Sequence, residues 1–209
     1  MTEGKRVYRS PLREEQARQT RAAVLDAAGA CFLERGYAAT TMRDVATRAQ
    51  VSVQTVFGQG SKASLLLACV DRAVVGDDEA VAFAEREPFV RFVTAPDLDD
   101  KLAALREITR RHVPQTLPMI WAFADAAAGD PEIAQAWAEY EQRRRTDVRA
   151  LVGALEPWLR SDLDVERATD IYWAFFSDAP ARSLIRGLGW TVDQIADLLT
   201  DALRRLLLQ

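Results

Sequence analysis

The residue types best suited to chemistry sit in one polar run, Thr40 to Lys62, which reads TTMRDVATRAQVSVQTVFGQGSK. A glutamine amide can bond bidentately to adenine, and threonine or valine methyls can touch the thymine methyl, so Val53, Gln54 and Thr55 carry groups that match a base-pair edge. Covalent catalysis has little to work with. The chain has one histidine, no nucleophile beside a paired base in a recognisable motif, no metal-ligand cluster, and no P-loop or dinucleotide glycine pattern. Gly187-Leu-Gly189 is too short to count as one. Cys31 and Cys69 are isolated within helical patterns and read as small buried apolar residues rather than a disulfide or metal pair. The expectation is a binding protein without cofactor or metal, not an enzyme.

Two short helices must position that run. Thr41 can cap the first, with Asp44 three residues on completing a capping box, and Met42, Val45, Ala46 and Ala49 mark its apolar face. Ser52 can cap the second by accepting from the amides of Gln54 or Thr55, while Val51 and Val56 have the spacing of a hydrophobic staple. Helices capped so close together must cross, which is helix-turn-helix geometry. A helix from about Arg13 to Arg35 supplies their platform; Gly36 stops it and places Phe32 against Tyr37.

Phe32, Gly36 and Tyr37, then TTMRDVATRA, then VSVQTVF, then Ser61, Lys62, Leu65 and Leu66 follow one ordered spacing. In that order the chain resembles the TetR family of transcriptional regulators, from about Arg13 to Leu208. The resemblance implies an all-α fold: an N-terminal three-helix helix-turn-helix DNA-binding domain with its arm (residues 1–62), then a helical regulatory and dimerisation domain (residues 63–209). It implies that Ser52, Val53, Gln54, Thr55 and Phe57 face DNA. Thr40, Thr41 and Arg43 then sit where a helix start can hold phosphate, and Lys62 does likewise at the next helix start. For the threonines, plain capping is an equal alternative. Two departures stand out. Gln50 occupies the turn position where the family places glycine, and a side chain in a left-handed conformation costs roughly 1–2 kcal/mol. The stretch from Phe57 to Lys62 is one residue shorter than usual and keeps one aromatic.

Charge is unevenly placed. Residues 1–75 hold 11 Lys and Arg against 7 Asp and Glu, and the remainder 16 against 24, for a net charge of −4. A basic head on an acidic body suits DNA contact at one end, weakening as salt rises. Lys5, Arg6 and Arg9 form either a solvated tail or an arm that touches DNA. No apolar run reaches the roughly 18 residues of a membrane span and the amino terminus is not signal-like, so a cytoplasmic location is expected.

In the body, residues 76–97 read as a loose connection with a short turn near Phe89 to Val93. Leu98 to about His112 forms a helix that Pro114 and Pro118 end or kink before a further one from Met119 to Ala128. Asp130 and Pro131 start another, whose charged middle, EYEQRRRTDVR, reads as solvent-facing. Leu163 to Leu188 is helical with a bend at Pro180, closed by Gly187 and Gly189. The last helix starts at Thr191 with Gln194 in the capping-box position, and its wide apolar stripe calls for burial on two sides. Pairing of the two final helices across a twofold axis would meet that need, with Ile171, Phe175, Leu198, Leu199, Ala202, Leu203 and Leu206 at a homodimer interface; packing within one chain is the alternative.

The resemblance also implies a pocket for a small-molecule effector among the helices between about residues 62 and 180. His112, Trp121, Phe123, Trp137, Tyr140, Trp173 and Phe176 are its candidates by residue type, although aromatics at helical spacing are as readily plain core. The implied activity is that of a repressor, dimeric on a palindromic double-stranded operator and released by the effector. The competing expectation is a helical protein-interaction module with a vestigial helix-turn-helix.

Overall fold

The computed structural model describes residues 11–75 and 87–209, so the arm residues Lys5, Arg6 and Arg9 and most of the connection after residue 75 lie outside the described residues. The described chain is helical and divides into two compact units, residues 1–69 and 70–209.

The first unit holds α1 (Pro11–Ala39), α2 (Met42–Ala49), α3 (Val53–Phe57) and the start of α4 (Lys62–Val75). Gly36 interrupts α1 with φ 78°, a left-handed value that glycine adopts without strain, and the Phe32 and Tyr37 rings meet across it at 5.8 Å. Val24, Ala28 and Phe32 from α1, Val45 from α2, Val56 from α3 and Leu66 from α4 are almost wholly buried together in the core. Each large apolar side chain removed from water in this way contributes roughly 1.5–3 kcal/mol. Cys31 and Cys69 are buried free thiols.

The second unit holds the end of α4, α5 (Glu87–Thr94), α6 (Leu98–Ala127), α7 (Pro131–Gly153), a 3₁₀ turn (Glu156–Trp158), α8 (Val165–Phe176), α9 (Asp178–Arg182), a π-helical turn (Ser183–Gly187) and α10 (Val192–Leu206). Its core gathers Phe92, Leu105, Val152, Ala168, Tyr172 and Leu203 from five helices. The short turn expected near Phe89 is a two-turn helix, because Phe89 and Phe92 bury on one side and Lys101 donates to the carbonyls of Phe92 and Val93 at its end. That ammonium is itself buried, which pushes its pKa down.

α6 departs most from expectation: it runs unbroken through Pro114 and Pro118. The prolines are four residues apart, with Pro114 exposed, so their rings share the outer face. Each removes one intrahelical hydrogen bond, and burial of Leu105 and Ile108 before them and Ile120 and Phe123 after them holds the axis together. Pro180, by contrast, does break a helix. Its ring would meet the carbonyl of Phe176, and α8 ends there, with Ser177 extended at ψ 175°. Gly189 closes the next segment at φ 71°, and Thr191 and Gln194 form the expected capping box. Among the described residues, no helix is long and apolar enough to cross a membrane.

Candidate DNA-reading edge and ligand cavity

In the head, local hydrogen bonds fix α2 and α3. The Thr41 side chain accepts from the Asp44 amide while the Asp44 carboxylate accepts from the Thr41 amide at 2.9 Å. The Thr41 hydroxyl also donates to that carboxylate at 2.6 Å, and this bond, then the Thr41 amide and Arg35 at 2.8 Å, hold the Asp44 carboxyl below the usual carboxylate range. Arg48 pairs with Glu34 at 2.7 Å, tying α2 back to α1. The turn uses Gln50 at φ 56°, ψ 37°, the left-handed conformation its position demands, and the Gln50 and Val51 amides both donate to Ala46. Ser52 then caps α3, accepting from the Thr55 amide at 3.0 Å.

This frame buries Val56 and turns Ser52, Val53, Gln54 and Phe57 to solvent, Phe57 with 60% of its surface exposed. Thr55 is half-buried, its hydroxyl 2.8 Å from that of Ser52, and Thr41 and Arg43 are exposed at the start of α2. Thr40 differs from expectation. It is buried, and its hydroxyl donates to the carbonyls of Cys31 and Gly36, so it fastens the end of α1 and does not reach outward. Lys62 is also turned inward: its ammonium donates to the carbonyls of Tyr37 and Thr40 at 3.0 and 3.1 Å and lies 4.2 Å above the Tyr37 ring. The short junction before it depends on Gly60, which adopts φ 136° and whose missing Cβ would sit 2.3 Å from the Ser64 hydroxyl.

In the body, residues from α4 to α10 line a partly open cavity of about 880 Å³, within the range of small-molecule sites. His112, Tyr140 and Phe176 line it as expected. Trp121, Phe123, Trp137 and Trp173 do not; Trp121 and Phe123 are buried elsewhere and Trp137 and Trp173 are half-buried. Phe123 packs against Trp137 and Tyr140 at 5.1 and 5.9 Å, Trp121 donates to the Asp178 carbonyl, and Trp173 lies under the Arg144 guanidinium.

Sequence reasoning missed the charged wall. Asp71, Arg143, Arg144, Asp147 and Asp178 all line the cavity, yet the charged middle of α7 is mostly exposed as expected, Arg143 and Asp147 included. Arg145 and Arg149 do point out, pairing with Asp170 and Glu166. Tyr140, Arg144, Val148 and Leu151 recur at three and four residues, and that phase could have revealed an inward face. Arg144 pairs with Asp178 at 3.3 Å and donates to the Phe176 carbonyl, which Pro180 leaves without its helical donor. Burial nevertheless pushes the Asp178 carboxyl up, and also raises Asp71 and Asp147, with Arg143 partly offsetting the last two. The Tyr172 phenol is pushed up to about 12, chiefly by burial.

Of the expected interface residues, Phe175 and Leu198 are exposed and Ile171, Ala202 and Leu206 half-buried. Leu199 and Leu203 are buried in the chain's own core.

A capped helix-turn-helix in one unit and a ligand-sized cavity in the other define an all-helical two-unit fold. Residues 24–69 match the family of bacterial regulatory proteins, tetR family; the amino-terminal domain is that of this family, and the chain has the fold of its regulators. A transcriptional regulator from Saccharomonospora viridis, solved with choline, is 18% identical with TM-score 0.69, over 92% of this chain and 99% of its own. NalD, the secondary repressor of the MexAB-OprM multidrug efflux pump in Pseudomonas aeruginosa, is 17% identical with TM-score 0.68, over 93% and 98%. The SmeT–triclosan complex, whose protein is the repressor of a Stenotrophomonas maltophilia efflux pump, is 18% identical with TM-score 0.70, over 91% and 92%. No curated protein matches the chain.

Proposed function

We propose that this chain is a transcriptional repressor that binds a roughly palindromic operator as a homodimer and leaves it when a small molecule fills the body cavity. The observation that carries the reading is the edge of α3: Ser52, Val53, Gln54 and Phe57 stand exposed on a helix capped at its start and anchored by buried Val56. A buried anchor with a polar and methyl-bearing outer face is what major-groove reading requires. Thr41 and Arg43, exposed beside it, would take phosphate. Phe175 and Leu198 support a twofold contact through α8 and α10, which one short recognition helix needs because a single half-site gives little affinity. Choline and triclosan in structurally similar proteins support the cavity as the effector site.

In the two-state reading, α4, whose continuous helix runs from Lys62 in the head to Val75 in the body, carries the change. The effector lowers operator affinity only by its preference for the non-binding state. Mobility-shift titration against the DNA flanking the protein's own gene tests the proposal. Retardation of a specific fragment is expected, weakening as salt rises and abolished by Gln54→Ala with Thr55→Ala in a variant of unchanged circular dichroism. Failure to retard any fragment would overturn it in favour of a protein-interaction module.

A further inference from the structure

Two kinds of exposed side chain border the body cavity. Asp71 on α4 and Arg143, Thr146 and Asp147 on α7 are polar and suit contact with water. Phe175 on α8 and Leu198 on α10 border it too, with 57% and 38% of their surface exposed. Exposed apolar groups continuous with an apolar cavity mark a surface that something covers.

Charge indicates the cover. On α8 and α10, Glu166, Asp170, Asp193, Asp197 and Arg204 each pair with α6 or α7 of the same chain. Arg167, Asp201 and Arg205 are exposed and, among the described residues, form no ion pair. Their positions are not scattered. Arg167, Ile171 and Phe175 recur every four residues along α8, and Leu198, Asp201, Ala202 and Arg205 at three and four along α10, so these charges share the face of the exposed apolar residues. A face carrying both signs can meet its own copy across a twofold axis, where every contact occurs twice with the roles exchanged. An antiparallel crossing of two α10 helices beside the small Ala202 sets Asp201 against Arg205 of the partner subunit.

We infer that a second copy of the chain completes the effector site: reciprocal pairs of Asp201 with Arg205 fix the register in which its α8 and α10 cover the cavity edge at Phe175 and Leu198. This rests on the homodimer and the effector site proposed above and adds that the site is whole only in the dimer. A ligand there meets a wall that the lone protomer lacks. It therefore binds the dimer more tightly and, by linkage, strengthens the dimer in return. Release from the operator then comes from rearrangement within the dimer and not from its dissociation.

N-Phenyl-1-naphthylamine, a neutral apolar dye that brightens out of water, serves as the probe. The full chain is titrated above and below the concentration at which the dimer dissociates, with sedimentation velocity reporting its state. The dimer should bind the dye at least about tenfold more tightly than the protomer, so that saturating dye lowers the dimer dissociation constant by up to about a hundredfold, tenfold from each of two sites. Asp201→Arg and Arg205→Asp each set like charges across the axis. Each should raise that constant about tenfold or more with circular dichroism unchanged, and dye binding should fall in step; the double reversal should recover both. Neither residue borders the cavity, so the dye reports the dimer and not a lost contact. Equal dye affinity in protomer and dimer, a dimer that refuses the dye, or a double reversal that restores nothing would each overturn the inference. The proposals fail separately. A dimer that binds dye no better than the protomer leaves the homodimer standing and sinks this inference. Tighter binding by the dimer without release of operator DNA sinks the release step alone, and a chain that never dimerises sinks the homodimer itself.

Discussion

One carboxylate in the head and two beside the body's cavity are treated in opposite ways. Asp44 in the head is fully engaged, accepting from the Thr41 amide and from Arg35, and its pKa is lowered. Asp71 and Asp147 in the body face a cavity without a direct partner, and their pKa values are raised. The first arrangement spends a charge on holding a turn in place. The second leaves a charge waiting for something to arrive. A reading edge needs pre-organisation, because each misaligned side chain weakens a base contact, while a switch needs an environment that a ligand can improve. The contrast is the one that the proposed division of labour calls for, with a reading edge held in place and a cavity left able to respond.

The largest test of that contrast concerns a place where the body is tightly satisfied. Arg144 serves the Asp178 carboxylate, the Phe176 carbonyl and the Trp173 ring at once. Arg144→Ala should destabilise the body by about 3 kcal/mol, because it strands a buried carboxylate and a carbonyl. Urea unfolding followed by tryptophan fluorescence checks it, since all five tryptophans lie in the body. Adding Asp178→Asn should recover part of the loss; no recovery would mean that the pair does not act as a unit.

A smaller effect should be confined to the head. Gly60→Ala forces a side chain into φ 136° and against the Ser64 hydroxyl, costing about 2 kcal/mol. Hydrogen exchange of the α2 and α3 amides should speed up while the tryptophan transition stays in place. A shift in the body alone would contradict the division between the two units.

The smallest effect has opposite signs in the two regions. Replacing a carboxylate by its amide should destabilise the head at Asp44 but stabilise the body at Asp71 and Asp147, raising the body's melting temperature by roughly 1–2 °C. The pH dependence follows from the direction of each shift. A lowered carboxyl such as Asp44 contributes stability that is present above its unfolded pKa and is lost as pH falls through the folded one. Raised carboxyls such as Asp71 and Asp147 penalise the folded state only while ionised, so that penalty disappears as acidification protonates them. The advantage of the Asp71→Asn, Asp147→Asn variant should therefore shrink toward the carboxylate range; an advantage that grows would place the destabilisation elsewhere.

Local chemistry was legible in the sequence where it acted over three or four residues. The caps at Thr41, Ser52, Asp130 and Thr191, the glycine stops and the left-handed turn at Gln50 all form from neighbours in the chain. What escaped depended on distant partners. Thr40 and Lys62 look like surface polar residues until the end of α1 folds back to offer them carbonyls. Asp71 joins Asp147 only in that both border one cavity, which no spacing encodes. The persistence of α6 through two prolines, likewise, is decided by the side chains buried on either side of them.

That helix carries a mechanical consequence. Proline has no amide hydrogen, so the carbonyls of Arg110 and Pro114 lack their usual rungs, and the stretch between the two prolines bends more easily than the turns above and below it. His112, Val113, Thr116 and Leu117 belong to that compliant stretch or lie beside it, and all four border the cavity. The longest helix among the described residues is thus a strut with a soft middle, and the softness falls where an occupant would push.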